Sequence, residues 1–154
     1  MKKEIIKILI VFFVAIVGWV FWIKCSIKDA KMQGKYERPF FQNNILINGV
    51  VSDKSDSGNH CFGIIYLKDF VSNVKEFNPY NKDIFPYAIK NGDAEIYSWT
   101  CLYNVEAGDS IIINSNDRSI LVIKKDSNEK IEGNLRFVNS EKNYIQENSQ
   151  LKFQ

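Results

Sequence analysis

Residues 85–103, FPYAIKNGDAEIYSWTCLY, decide the fold class of this 154-residue chain. At the centre of the segment, Asn91-Gly92 suits a two-residue type I′ turn, whose central residues both take positive φ. The turn would join residues 85–90 to residues 93–103 as a hairpin and set Lys90 opposite Asp93. Beyond it Tyr97, Trp99, Cys101 and Tyr103 alternate onto one face of a strand, and Ile96 and Leu102 onto the other.

Working outward, short runs rich in Ile, Val and aromatic residues recur between turn signals every 8 to 15 residues, the pattern of a small all-β domain. They cover residues 45–51, 61–67, 110–113, 119–124 and 131–138. Asn48-Gly49 reads as a tight turn or a bulge, and Ala107-Gly108-Asp109 as a turn. Residues 69–77 fit two patterns. Phe70, Val74 and Phe77 share a helical face, yet Val and Phe are also strand formers. The expectation is a mainly β fold: one small antiparallel sandwich or barrel-like domain over residues 44–139, followed by a polar tail, 140–154, that frays or forms one short helix.

The start of the chain is of another kind. Residues 8–23 contain no charged or strongly polar side chain, and Ile5 and Ile6 extend the run across Lys7. A helix over residues 5–23 would measure about 28 Å, close to the ~30 Å of a bilayer core. Lys7 is near enough to the end to snorkel, and Trp19 and Trp22 suit the opposite interface. The sequence therefore predicts an N-terminal transmembrane anchor, residues 1–23, with the lipid bilayer as its partner. A cleaved signal peptide fits poorly, because Val20, Phe21, Trp22, Ile23 and Lys24 lack the small residues that cleavage wants. The same residues disqualify Cys25 as a lipoprotein cysteine.

Residues 24–43 read as a basic juxtamembrane linker. Lys24, Lys28, Lys31, Lys35 and Arg38 fall just past the apolar run, where lipid headgroups are natural partners. Residues 1–38 carry eight Lys/Arg against three Asp/Glu, whereas residues 39–154 carry twelve against fifteen. A nucleic-acid binder concentrates positive charge on its folded domain, so no nucleic-acid partner is expected. The lysines past the run favour a cytoplasmic domain under the positive-inside rule. A short Lys-led start behaves like a signal n-region, however, and the reading adopted is single-pass with an extracytoplasmic domain.

Three cysteines allow one pair and one remainder. A Cys61–Cys101 disulfide would close a 41-residue loop, worth about 4 kcal/mol by chain entropy; the alternative is two buried thiols. His60 and Cys61 are neighbours and would point to opposite faces of a strand, so they do not form a nucleophile–base dyad without a bulge. The oxygen-rich loop 53–59 lacks the carboxylate a calcium loop needs at its twelfth position, which is Ile64. No phosphate loop, serine elbow or zinc pair is present, and no cofactor, metal or catalytic residue is assigned. The remaining candidate is an aromatic binding face of Tyr97, Trp99 and Tyr103 for a protein or glycan partner. Together these features point to a non-catalytic envelope interaction or ligand-binding module. The alternatives are a small extracytoplasmic enzyme using a cysteine and an accessory subunit of a membrane complex.

Overall fold

The computed structural model describes residues 2–59, 61–99 and 102–153, the side chains of residues 2–6, 8–11 and 102 excepted. The chain divides into two compact units, residues 1–39 and 40–154.

The first unit is one long helix, α1 (Lys2–Phe41), whose last two residues belong to the second unit. Between Phe12 and Trp22 its large apolar side chains are all exposed and occupy every side of the helix. Among the described residues no helix is long and apolar enough to cross a membrane. The side chains of residues 5, 6 and 8–11, six of the nineteen in the expected span 5–23, lie outside the described ones. The expected linker is helical as far as Phe41. Its Lys, Ala, Met, Gln, Glu and Arg residues are strong helix formers, and the single Gly34 costs only about 1 kcal/mol. Pro39, which has no N–H to donate to the Lys35 carbonyl, falls two residues before the helix ends.

The second unit is an antiparallel sheet of seven strands. They are β1 (Leu46–Asp56), β2 (Gly63–Ser72), β3 (Tyr87–Lys90), β4 (Asp93–Ser98), β5 (Ser110–Asn114), β6 (Ser119–Ile123) and β7 (Lys130–Asn134), in the spatial order β3-β4-β2-β1-β5-β6-β7. The expected hairpin is β3–β4. Lys90 pairs with Asp93, and Asn91 and Gly92 take φ of 55° and 89°. Asn48-Gly49 is a bulge and no turn, since the β1–β2 register shifts between Asn48 and Val50. A Cβ on Gly49 would lie 2.6 Å from that of Phe70, so only glycine lets the two backbones approach there. Residues 69–77 divide between the end of β2 and a bridge from Phe77 to Ile89.

Strand alternation produces two faces. One is apolar throughout, with Ile47, Val51, Ile65, Ile96, Ile111, Ile113, Ile120 and Val122 among its buried members. Their alignment follows from register, as Ile65 faces Ile96, Ile113 faces Ile120 and Ile111 faces Val122. Phe41, the last residue of α1, joins this cluster through its rings' contacts with Phe85 and Phe137 at 5.5 and 5.0 Å.

The opposite face divides in two. Over β2, β4 and β3 it is covered by the C-terminal segment, where α2 (Lys142–Asn148) and the residues after it bury Ile64, Tyr66, Ala88 and Tyr97 under Val138, Ile145 and Leu151. Of the two expectations for the tail, a frayed end or one short helix, the helix is the one found, and it is packed. Over β5 and β6 the face is open, and Ile112, Leu121 and Ile123 are only half-buried. Between the halves, Leu135 N–H donates to Arg118 O and Val138 N–H to Ile84 O, at 2.8 and 3.0 Å, which leads the chain from β7 to the covered side.

Candidate functional site

The most concentrated polar chemistry sits under the C-terminal segment. The Glu95 side chain, 1% exposed, accepts hydrogen bonds from Tyr97 Oη at 3.0 Å, Ser149 Oγ at 2.7 Å, Gln150 N–H at 2.6 Å and Leu151 N–H at 3.2 Å. Tyr66 Oη adds a bond to Asn148 O at 2.9 Å, and Ser55 shares one with Tyr144 at 2.6 Å. Burial, reinforced by the nearby Glu95, raises the Tyr97, Tyr66 and Tyr80 hydroxyls above the ordinary tyrosine pKa. Four donors fill the carboxylate's acceptor positions and raised tyrosines remain protonated. The cluster is therefore suited to holding the tail on the sheet and leaves no group positioned to attack or to exchange protons with a substrate.

A second polar knot is equally occupied. Asp109 accepts from Lys124 Nζ at 2.7 Å, Glu106 N–H at 2.9 Å and Lys125 N–H at 3.0 Å. Its burial alone would raise the carboxyl pKa, but the bonds from Lys124 and the two amides outweigh that and lower it. Lys124, bonded to Asp109, is raised in turn. The pair secures the 107–109 turn before β5.

The residues singled out from sequence are dispersed. Cys25 is a free, exposed cysteine on α1, whereas Cys61 is disulfide-bonded. Cys61 lies in a turn with φ of 70°, ahead of β2 and outside any strand. Cys101 and His60 lie outside the described residues. Tyr97, Trp99 and Tyr103 do not line one surface. Strand β4 ends at Ser98, so alternation stops there. Tyr97 is buried at 1%, Trp99 is 38% exposed with its ring 4.9 Å from that of Phe62, and Tyr103 stands out at 74% in a 3-10 turn.

Trp99 nevertheless borders a hollow of ≈ 430 Å³. On one side are Ser98, Trp99 and Asn104; on the other are residues 131–134 of β7 and Arg136. Strand β7, last in the sheet order, pairs with β6. Among the described residues its far edge has no strand partner, the arrangement in which alternate backbone N–H and C=O groups can template an incoming chain. Arg136 is exposed and has no hydrogen bond or ion pair among the described residues. A half-exposed indole, an unpaired strand edge and a free guanidinium thus converge on one groove. A larger depression of ≈ 610 Å³ lies beside Phe70, Val71, Val74 and Ile89. The edge there is already engaged, because Ile89 and Phe77 exchange backbone hydrogen bonds of 2.8 and 3.1 Å.

Trp99 was legible in the sequence, whereas Asn104, Arg136 and the β7 edge were not. Edge status depends on which strand ends the sheet, and a run such as KIEGN carries no sign of it. Comparison of the chain with protein-family models, with curated proteins and with solved structures yields no match.

Proposed function

We propose that this chain is a membrane-tethered recognition module, and that its β domain binds a short extended segment of a partner protein by strand addition to β7. The observation that carries the reading is the groove between the free β7 edge and Trp99. Main-chain pairing would supply affinity, and Trp99 with Arg136 would select side chains. The hollow's ≈ 430 Å³ suits about three residues, at ~4.8 Å from β7 as a strand neighbour requires. Trp99 presents an apolar platform at little cost in rotamer entropy.

The tether is the apolar segment of residues 5–23. Support comes from the sequence's uncharged run and from a helix apolar on all sides, which nothing in an aqueous setting would leave uncovered. We assign the domain to the extracytoplasmic side and propose that Cys61 pairs with Cys101. The disulfide-bonded state of Cys61 favours that side, since such bonds persist in oxidising compartments.

The binding reading is tested by selecting short peptides against the full chain in nonionic detergent and following backbone amide exchange. Selected peptides are expected to protect residues 130–134 and to bind Trp99→Ala at least about tenfold more weakly, the range for an aromatic anchor. Protection elsewhere, or equal binding to the variant, overturns it. Placement is tested on intact cells with a membrane-impermeant thiol reagent. Labelling of Cys61 only after reduction, without permeabilisation, is expected; labelling that requires permeabilisation and needs no reduction places the domain in the cytoplasm.

A further inference from the structure

The helix gives the basic residues past the apolar segment an order that their spacing in a linker would lack. Lys24, Lys28, Lys31, Lys35 and Arg38 follow one another at intervals of four, three, four and three residues. On the continuous α1, at ~100° per residue, they fall within about 80° of arc and form a stripe about 21 Å long. All five are exposed. None makes a hydrogen bond or ion pair among the described residues. Asp29, Gln33 and Glu37 occupy the opposite side, where Gln33 Nε2 donates to Glu37 Oε1 at 2.9 Å. Intrahelical pairing, which would place Glu or Asp three or four residues away on the same face, is thereby avoided.

We infer that this stripe is a docking face for an acidic helix of a second membrane protein, running alongside α1 just outside the bilayer. The inference rests on the tether reading. If α1 leaves the bilayer at Ile23, Lys24 and Lys28 lie about 2 and 8 Å out, within a headgroup zone of ~5–8 Å. Lys31 stands about 12 Å out, ~4 Å past that zone and within a screening length of ~8 Å of its charges, whereas Lys35 and Arg38 stand about 18 and 22 Å out, beyond it. Headgroups therefore leave Lys35 and Arg38 unanswered. The element that keeps pace with a helix leaving a membrane is another helix leaving the same membrane. Asp or Glu at matching three- and four-residue intervals would meet each cation in turn.

The test uses the full chain in nonionic detergent and two synthetic helical peptides of one composition. The first carries Glu in the 4-3-4-3 spacing, and the second distributes the same Glu residues around the helix. By fluorescence anisotropy at low salt the first is expected to bind about tenfold more tightly, the sum of several weak exposed pairs. Lys28→Glu with Lys35→Glu is expected to remove that difference, and Lys28→Gln with Lys35→Gln to reduce it, with helix content unchanged by circular dichroism. Equal binding of both peptides, or a preference that survives charge reversal, overturns the inference. So does loss of the preference when the chain is moved into phosphatidylglycerol nanodiscs but not phosphatidylcholine ones, since lipid would then be the occupant. Resistance of the vesicle-inserted chain to carbonate extraction reports on the tether separately. Release by carbonate overturns the tether and the membrane setting of the inference, whatever the peptides do.

Discussion

The two halves of the sheet's outer face resolve the same problem differently. Over β2, β4 and β3, a buried carboxylate, two tyrosines and a short helix close the surface, and Glu95 alone takes four hydrogen bonds. Over β5, β6 and β7 the apolar residues are only half-buried, and the sheet ends in an edge with no strand partner among the described residues. Both halves share one apolar inner face, so the difference does not reflect an unfinished core. A sheet of this size needs one buried face for stability, and the second face can be closed or left open. Here the closed half holds polar groups that are saturated, while the open half ends in a strand edge to which the proposed function assigns binding.

The contrast is broken most strongly at Glu95. Replacing it with Ala strands the Tyr97 hydroxyl and the Gln150 amide, while Ser149 Oγ keeps Leu151 O and Leu151 N–H keeps Ser149 Oγ, and a loss of about 2–4 kcal/mol is expected. Urea denaturation measures it, and limited proteolysis should show residues 139–153 released first. An unchanged midpoint would mean the cover is held by its apolar contacts alone.

Alkaline titration examines the buried tyrosines under both faces. Tyr87, within the inner cluster, has its hydroxyl pushed by burial to about 12. Its neutral form is favoured in the folded state, so the folded protein retains a proton that the unfolded chain loses above pH ~10. Stability is unaffected below that pH and falls as pH rises towards 12, by about 3 kcal/mol for a shift of two units. Tyr97 and Tyr66, also raised, add to the decline. Thermal unfolding between pH 9 and 12 would show it, and a flat profile would contradict the burial of these hydroxyls.

The smallest effect is expected on the open half. Leu121→Thr places a β-branched strand former on a half-buried strand position and should cost within about 0.5–1 kcal/mol. Ile64→Thr, on the covered half at 0% exposure, should cost several times more because its hydroxyl is buried. Equal costs in chemical denaturation would mean that the two halves are alike.

Much of this architecture could be read from residues. Asn91-Gly92 specified its hairpin because a type I′ turn demands positive φ at both positions, a local requirement. The all-β class followed from short Ile- and Val-rich runs between turns, and the apolar segment at the start from an absence of charge. Local signals failed where two readings shared one pattern. Asn48-Gly49 satisfies the turn code as well as the hairpin pair does, and only the approach of Phe70 across β2 makes it a bulge. Residues 24–41 carry strong helix formers, yet their polarity and Gly34 resembled a linker until the helix was seen to continue.

What the sequence by itself determined is therefore the chemistry of each segment: an uncharged apolar start, a basic stretch, and β-forming runs separated by turns. The tertiary structure decided which segments share a surface. It buried Tyr97 while leaving Trp99 half-exposed, because β4 ends between them, and it joined Glu95 to residues 149–151 more than fifty positions away. It also placed β7 last in the sheet. The physical reason is that turn geometry and apolar periodicity act between near neighbours in the chain. Strand order, edges and the saturation of buried polar groups depend on contacts between distant residues, which no local pattern encodes.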